Sequence, residues 1–302
     1  MNKYLYKFTD ISIKHKLDLF DKLISPILNY ASQVWGFAQG NSIERIHLQF
    51  CKRLLGIKKN TQNDFIYGEL GRLNFQTIRY FNIVKYWIKL LHTDKNKYNR
   101  KVYNMLKLDT DLYPNKPNWC SLLKSFLCNL GFYDAWFFQD IGNVDIFLSC
   151  VKQRLNDNFI QNWNSRLANS SRALFYRNIS NFRFQPYLNI LNITKFRYSM
   201  ARLRVSSHRL HIETGRWNKP RSTPINERVC TNCHILEDEF HFILECTLYS
   251  ELRNIYIPTY FRNNPSMFKL IELFNTENRA LVIKLGTYIQ KAFEFRNALM
   301  YA

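Results

Sequence analysis

Phe147, Val151, Leu155, Phe159, Trp163 and Leu167 stand at every fourth position, a spacing that places six apolar side chains along one face of an α-helix. Leu148 and Cys150 widen that face. The same period, apolar residues three and four apart, runs through most of the 302-residue chain, which holds only 9 Gly and 8 Pro. A mostly α-helical fold is therefore expected. In the segment from Ser42 to Leu55, Ile43, Ile46, His47, Phe50, Cys51, Leu54 and Leu55 form one stripe, and Gly56 is placed to end the helix. His47 and Cys51 are four apart, as a base and a nucleophile would be, but both fall on the packing face and are read as core. An earlier helix is expected from about Ile13 to Trp35 with a break at Pro26, and another from Gln76 to Leu91. Between them and the Phe147 stripe, the prolines of Leu108–Trp119 mark a connector, with Asp109 and Asp111 in a solvated turn. At the end of the chain, Leu270, Leu273, Phe274, Leu281, Ile283, Leu285, Ile289 and Phe293 give a final helical segment its packing residues.

Cys230, Cys233, His241 and Cys246 follow the spacing C-x2-C-x7-H-x4-C. Thiolate and neutral imidazole are zinc ligands, and four of them with no open position make a structural site that holds a loop rather than activating water. The competing reading is that they are ordinary buried residues. His208, His211 and His234 also stand near; His241 is preferred for its spacing and for the frame given by Phe240, Phe242 and Ile243. On an ideal α-helix, residues five apart point about 140° from each other. A helix carrying His241 must therefore end or distort before Cys246.

The formal charge of +20 and the pI near 9.7 make a polyanion the leading partner class. No apolar run approaches the roughly 18 residues that span a bilayer, and the opening MNKYLYKFTD lacks the apolar core of a signal peptide. An intracellular protein, nuclear or cytoplasmic, without a membrane partner is expected, its remaining cysteines Cys51, Cys120, Cys128 and Cys150 as free thiols. Half of the positive excess lies between Arg172 and Arg221. There Arg172, Arg177, Arg183, Lys195, Arg197, Arg202, Arg204, Arg209, Arg216, Lys219 and Arg221 face a single acid, Glu213. Interleaved are Phe175, Tyr176, Phe182, Phe184, Tyr187, Phe196, Tyr198 and Trp217, so groups that bind phosphates alternate with rings able to stack on unpaired bases. Rings at helical spacing also serve as core, and basic side chains as a solvated face. A helix is expected through KFRYSMARLRV, and a short strand through SSHRLHIETGRW.

Two blocks carry a resemblance. LFDKLISPILNYASQVWGF, IERIHLQFCKRLLGI and DFIYGELGRL resemble the region after the polymerase palm in the reverse transcriptase of non-LTR (LINE-type) retrotransposons. RVSSHRLHIETGRW, then CTNCHILEDEFHFILECTLYSELR and on to YIP, resembles the terminal zinc-knuckle domain of that family. Together the likeness covers nearly the whole chain. It implies a helical thumb-like region over 1–110, a helical connector with the basic stretch over 111–205, a zinc-knuckle domain with a short hairpin over 206–256, and C-terminal helices over 257–302. It further implies that Cys230, Cys233, His241 and Cys246 hold a structural Zn²⁺, and that Arg197, Arg204, Arg209 and Arg216 grip template RNA or target DNA. Arg202, Lys219 and Arg221 join them from the charge pattern. Polymerases of this kind need adjacent aspartates for two metal ions, and no Asp-Asp pair stands in this sequence. The expectation is a non-catalytic chain: the tail of a larger ancestral protein, or a retained binding module, partnered by RNA or DNA and by a separate catalytic reverse transcriptase portion. The alternative is a structural or interaction protein whose zinc only staples a subdomain.

Overall fold

The computed structural model describes residues 11–38 and 40–300. Its regular structure is helical, mostly α with short 3-10 turns and one π turn; among the described residues there is no strand, only the isolated bridges Leu70 to Phe184 and Val229 to Leu236. The chain falls into two compact units, each assembled from separated stretches. Over the described residues, the first is 18–38 and 40–47 with 73–164, and the second is 11–17 with 48–72 and 165–300. Contacts between segments distant in sequence define both units.

The helices begin and end where local chemistry dictates. The expected helix from Ile13 onward is broken into Ile13–Leu23, Ser25–Leu28 and Ser32–Trp35, with Pro26 in the first turn of the second piece, where its missing N–H is harmless. The helix Asn41–Leu55 closes on Gly56 at φ 64°, with Ile57 N–H donating to Lys52 O at 3.1 Å. That left-handed closure favours glycine. A Cβ on Gly56 would also lie 2.4 Å from the Tyr198 ring. His47 and Cys51 are both buried, as their place on the apolar stripe requires.

In the first unit, Phe75–Leu91, Tyr98–Leu112 and Trp119–Asn129 surround a core of Ile83, Val84, Trp87, Leu123, Leu127 and their neighbours. Asn74 caps the first of these helices, and Asn118 with Ser121 forms a capping box on the third. Trp87 satisfies its indole N–H on Tyr103 OH at 3.0 Å inside the core. The connector read over Leu108–Trp119 is shorter than expected. Leu108–Leu112 complete a helix, and Asp109 and Asp111 lie on its last turn rather than in a loop, with Asp111 3.5 Å from Lys107 and 3.9 Å from Lys124. Only Pro114 and Pro117 break the chain there.

The helix Val144–Ala168 buries all six residues of the Phe147 stripe, but Cys150 is exposed. Four-residue spacing advances by about 40° per step on a 3.6-residue helix, which carries the stripe away from Cys150.

In the second unit the helices Thr194–Arg204 and Arg279–Met300 pack together. Arg204, 1% exposed, places its Nε 3.1 Å from both carboxylate oxygens of Glu69 and donates to Phe274 O and Gln185 Oε1. Tyr187 OH donates to the same carboxylate at 2.8 Å. Burial raises the Tyr187 phenol well above its usual range, with the Glu69 charge adding to it, so the hydroxyl stays a donor. Of the packing residues read in the final segment, Leu270, Leu273, Phe274, Leu285 and Ile289 are buried, joined by Val282, Tyr288 and Ala292; Ile283 faces outward. SSHRLHIETGRW is not a strand. Glu213 and Thr214 N–H both return to Leu210 O, winding His211–Thr214 into a helical turn followed by a 3-10 turn. Among the described residues no helix is long and apolar enough to cross a membrane.

Candidate metal centre and basic surface

Two tight turns deliver the four zinc-type ligands. In the first, Cys230 N–H donates to Ile235 O at 2.7 Å and His234 N–H returns to Cys230 O at 2.9 Å. His234 takes φ 58° to close this knuckle, so both Cys230 and Cys233 turn to its inner side, and His234 itself is outside the cluster. In the second, residues His241–Glu245 form a π-helical turn, closed by Cys246 N–H donating to His241 O at 2.8 Å. The i to i+5 hydrogen bond widens the turn by one residue. That is the distortion the H-x4-C spacing demands: it brings His241 and Cys246 to one side, where an α-helix would hold them apart.

The donor atoms of Cys230, Cys233, His241 and Cys246 all lie within 4.8 Å of one another. Cys246 Sγ stands 3.8 Å from Cys230 Sγ and 3.7 Å from Cys233 Sγ. Zinc–sulfur bonds of about 2.3 Å in a tetrahedron put sulfurs about 3.8 Å apart. The thiols are free, so these separations are those of co-ligands. Both ring nitrogens of His241 are buried without a hydrogen-bond partner, and Glu245 Oε2, 3.7 Å from Nδ1, is beyond reach. Coordination satisfies one of them, where an orphaned buried polar atom costs about 1–3 kcal/mol. The residues therefore fit a metal ion such as zinc, with no open position for a reacting water.

The thiols are set unequally. Burial works against the Cys233 thiolate, but hydrogen bonds involving Thr247 and Asn232 outweigh it and bring the group down to about 6. Burial, together with the adjacent Cys230 and Cys233, pushes Cys246 up to about 12. A metal entering the cluster displaces the proton that Cys246 otherwise keeps.

Widening the turn frees main-chain carbonyls, and residues to which the sequence assigns no role take them up. Arg253 donates through Nε to Ile243 O at 3.0 Å and through Nη2 to Cys246 O at 2.5 Å. Tyr288 OH donates to Phe242 O at 2.9 Å. Arg296 holds Glu237, and Glu237 N–H donates to Arg228 O beside the knuckle. The other histidines are accounted for: His208 Nε2 is 2.9 Å from Glu239, and His211 Nδ1 is 2.6 Å from Val229 O. The sequence signal for these supports is faint, an Arg seven residues past Cys246 and aromatics on a distant helix.

The basic residues separate into three kinds. Arg204 is a correction to the expected nucleic-acid surface: it is enclosed by Glu69, Phe274 and Gln185 and has no face for a phosphate. Arg197 and Arg216 are half-buried and engaged, Arg197 with Leu191 O at 2.9 Å, Arg216 with Glu213 at 2.9 Å and Ser171 O. Arg202, Arg209, Lys219 and Arg221 are exposed. Among the rings, Phe175, Tyr176 and Tyr187 belong to the core, whereas Trp217 is 57% exposed with the Arg172 guanidinium 5.3 Å above it. No family model, no curated protein and no solved structure matches this chain.

Proposed function

We propose that the chain is a non-catalytic, zinc-dependent nucleic-acid-binding protein, the C-terminal part of a retrotransposon-type reverse transcriptase, acting on RNA or DNA with a separate catalytic portion. The observation that carries this reading is the convergence of Cys230, Cys233, His241 and Cys246 in the same unit as the exposed cations Arg202, Arg209, Lys219 and Arg221. The metal fixes the turns; the cations meet phosphates, and Trp217 offers a face to an unpaired base. The reading is tested by titrating purified protein of measured zinc content with labelled single-stranded RNA and DNA at several salt concentrations. Counterion release makes binding fall steeply with salt; absence of binding, or an affinity that ignores salt, defeats the proposal.

A second reading has its own support. Arg172 and Arg216 both pair with Glu213, and Arg204 pairs with Glu69, so part of the cationic stretch is engaged in holding the fold. An interaction protein stapled by zinc would lose its knuckle to a chelator yet ignore RNA and DNA at moderate salt.

A further inference from the structure

A polar cavity of about 510 Å³ in the second unit gathers cations from separate parts of the chain. Lys58 comes from the loop after Gly56, Arg202 from the helix Thr194–Arg204, and Arg209 from the loop beyond it. Lys58 is absent from the basic stretch and from every motif in the sequence. The site is built rather than incidental. Lys58 Nζ donates to His208 O at 3.0 Å and its backbone N–H to Ser207 Oγ at 3.0 Å, while Arg202 Nε donates to Gly56 O at 2.7 Å. These bonds tie the loop after Gly56 to Arg202 and to the Ser207–His208 loop, so that Lys58 and Arg202 line the cavity together with Arg209. Burial lowers the Lys58 pKa; among its neighbours Glu213 opposes this, and Arg209, Arg172 and Arg202 add to it. Cations this close repel one another, and an anion between them relieves the repulsion. Glu294 is the one acid among the lining residues, leaving the wall cationic.

We propose that this cavity holds a phosphate of a nucleic-acid strand, with Lys58, Arg202 and Arg209 as its ligands. A lone phosphate would leave most of the space empty; the volume falls in the roughly 300–1,000 Å³ range of pockets that enclose a whole small ligand. A nucleotide unit suits it, its charged end at the cations and its sugar or base near Ile57 and Phe293 on the apolar part of the lining. The inference rests on the nucleic-acid reading and locates a contact that the zinc motif does not.

The test compares the full-length zinc-loaded protein with Lys58→Gln, Arg209→Gln and, as control, Lys284→Gln, which removes the same charge from an exposed site outside the cavity. Binding of a labelled single-stranded oligonucleotide is measured against salt, and each variant's thermal melt and zinc content are checked. Lys58→Gln and Arg209→Gln should each weaken binding about tenfold and flatten the salt slope by about one phosphate contact, with the control within about twofold. If all three variants weaken binding alike, or none does, the cavity is not the site, although the nucleic-acid reading survives. If the parent protein binds no oligonucleotide, that reading falls and takes the inference with it.

Discussion

Arg296 donates to both carboxylate oxygens of Glu237, each bond at 2.8 Å, so a helix near the end of the chain grips the segment between the two halves of the metal cluster. The pair is buried on both sides. Arg296→Ala takes the guanidinium away from the buried Glu237 carboxylate, which keeps the His211 backbone N–H at 2.7 Å, and should destabilise the second unit by about 3 kcal/mol. Urea unfolding of the zinc-loaded protein checks this, and faster zinc loss to a chelator should accompany it.

Cys233→Ser removes a ligand but little volume. Zinc per chain should fall well below that of the parent, with the 230–246 region losing amide protection while the first unit keeps its own. Metal analysis with hydrogen exchange reads both effects; unchanged zinc content would refute the assignment. Treating the parent with a strong chelator should reproduce the same pattern.

Deleting Glu245 returns the turn after His241 to α-helical length. The loss of one residue brings Cys246 into an i+4 relation with His241, shifts everything after it, and breaks the fit of Arg253 to Ile243 O and Cys246 O. Residues four apart on an α-helix lie about 40° from each other, so His241 and Cys246 still share a side, and the variant isolates the carbonyl supports: with them lost, zinc affinity should drop about tenfold. By contrast, Glu245→Gln keeps the register and should bind zinc nearly as the parent does.

Arg204→Ala should behave as a core mutation. It leaves the buried Glu69 carboxylate without its guanidinium, at about 3–5 kcal/mol. The double variant Glu69→Leu with Arg204→Met, which removes both charges, should recover part of that loss in denaturant titrations, the rest being held back by Tyr187 OH, Phe274 O and Gln185 Oε1, which lose their partners.

Trp217→Ala probes the one large exposed ring of the basic stretch. Stacking on an unpaired base contributes about 1–3 kcal/mol, so affinity for single strands should fall at least fivefold while the melting temperature stays within a degree or two. Equal affinity for both proteins would show that the ring does not meet nucleic acid.

The helical class and the Cys230, Cys233, His241 and Cys246 cluster were legible because each rests on local rules. The fourfold spacing from Phe147 to Leu167 fixes one buried face, and the H-x4-C interval requires a distorted turn, which the His241–Glu245 π turn supplies. The role of Arg204 was not legible. Its partners Glu69 and Phe274 are 135 and 70 residues away in sequence, and a charge pattern cannot distinguish a cation that faces water from one enclosed by such partners. The strand read in SSHRLHIETGRW failed for a related reason: its alternation is short, and hydrogen bonds back to Leu210 O coil it instead. The roles of Arg253 and Tyr288 were not legible because both serve carbonyl groups, which leave no trace in a side-chain motif.

Glu69 and Arg204 lie 135 positions apart, and this separation bears on how the protein is made. As the chain emerges during synthesis, the helix carrying Glu69 is finished long before its guanidinium exists. Until then the carboxylate must stay hydrated, so the helix Asn63–Leu70 cannot settle into its final surroundings. The second unit must therefore assemble late, and shorter nascent chains leave its apolar surfaces exposed to chaperones.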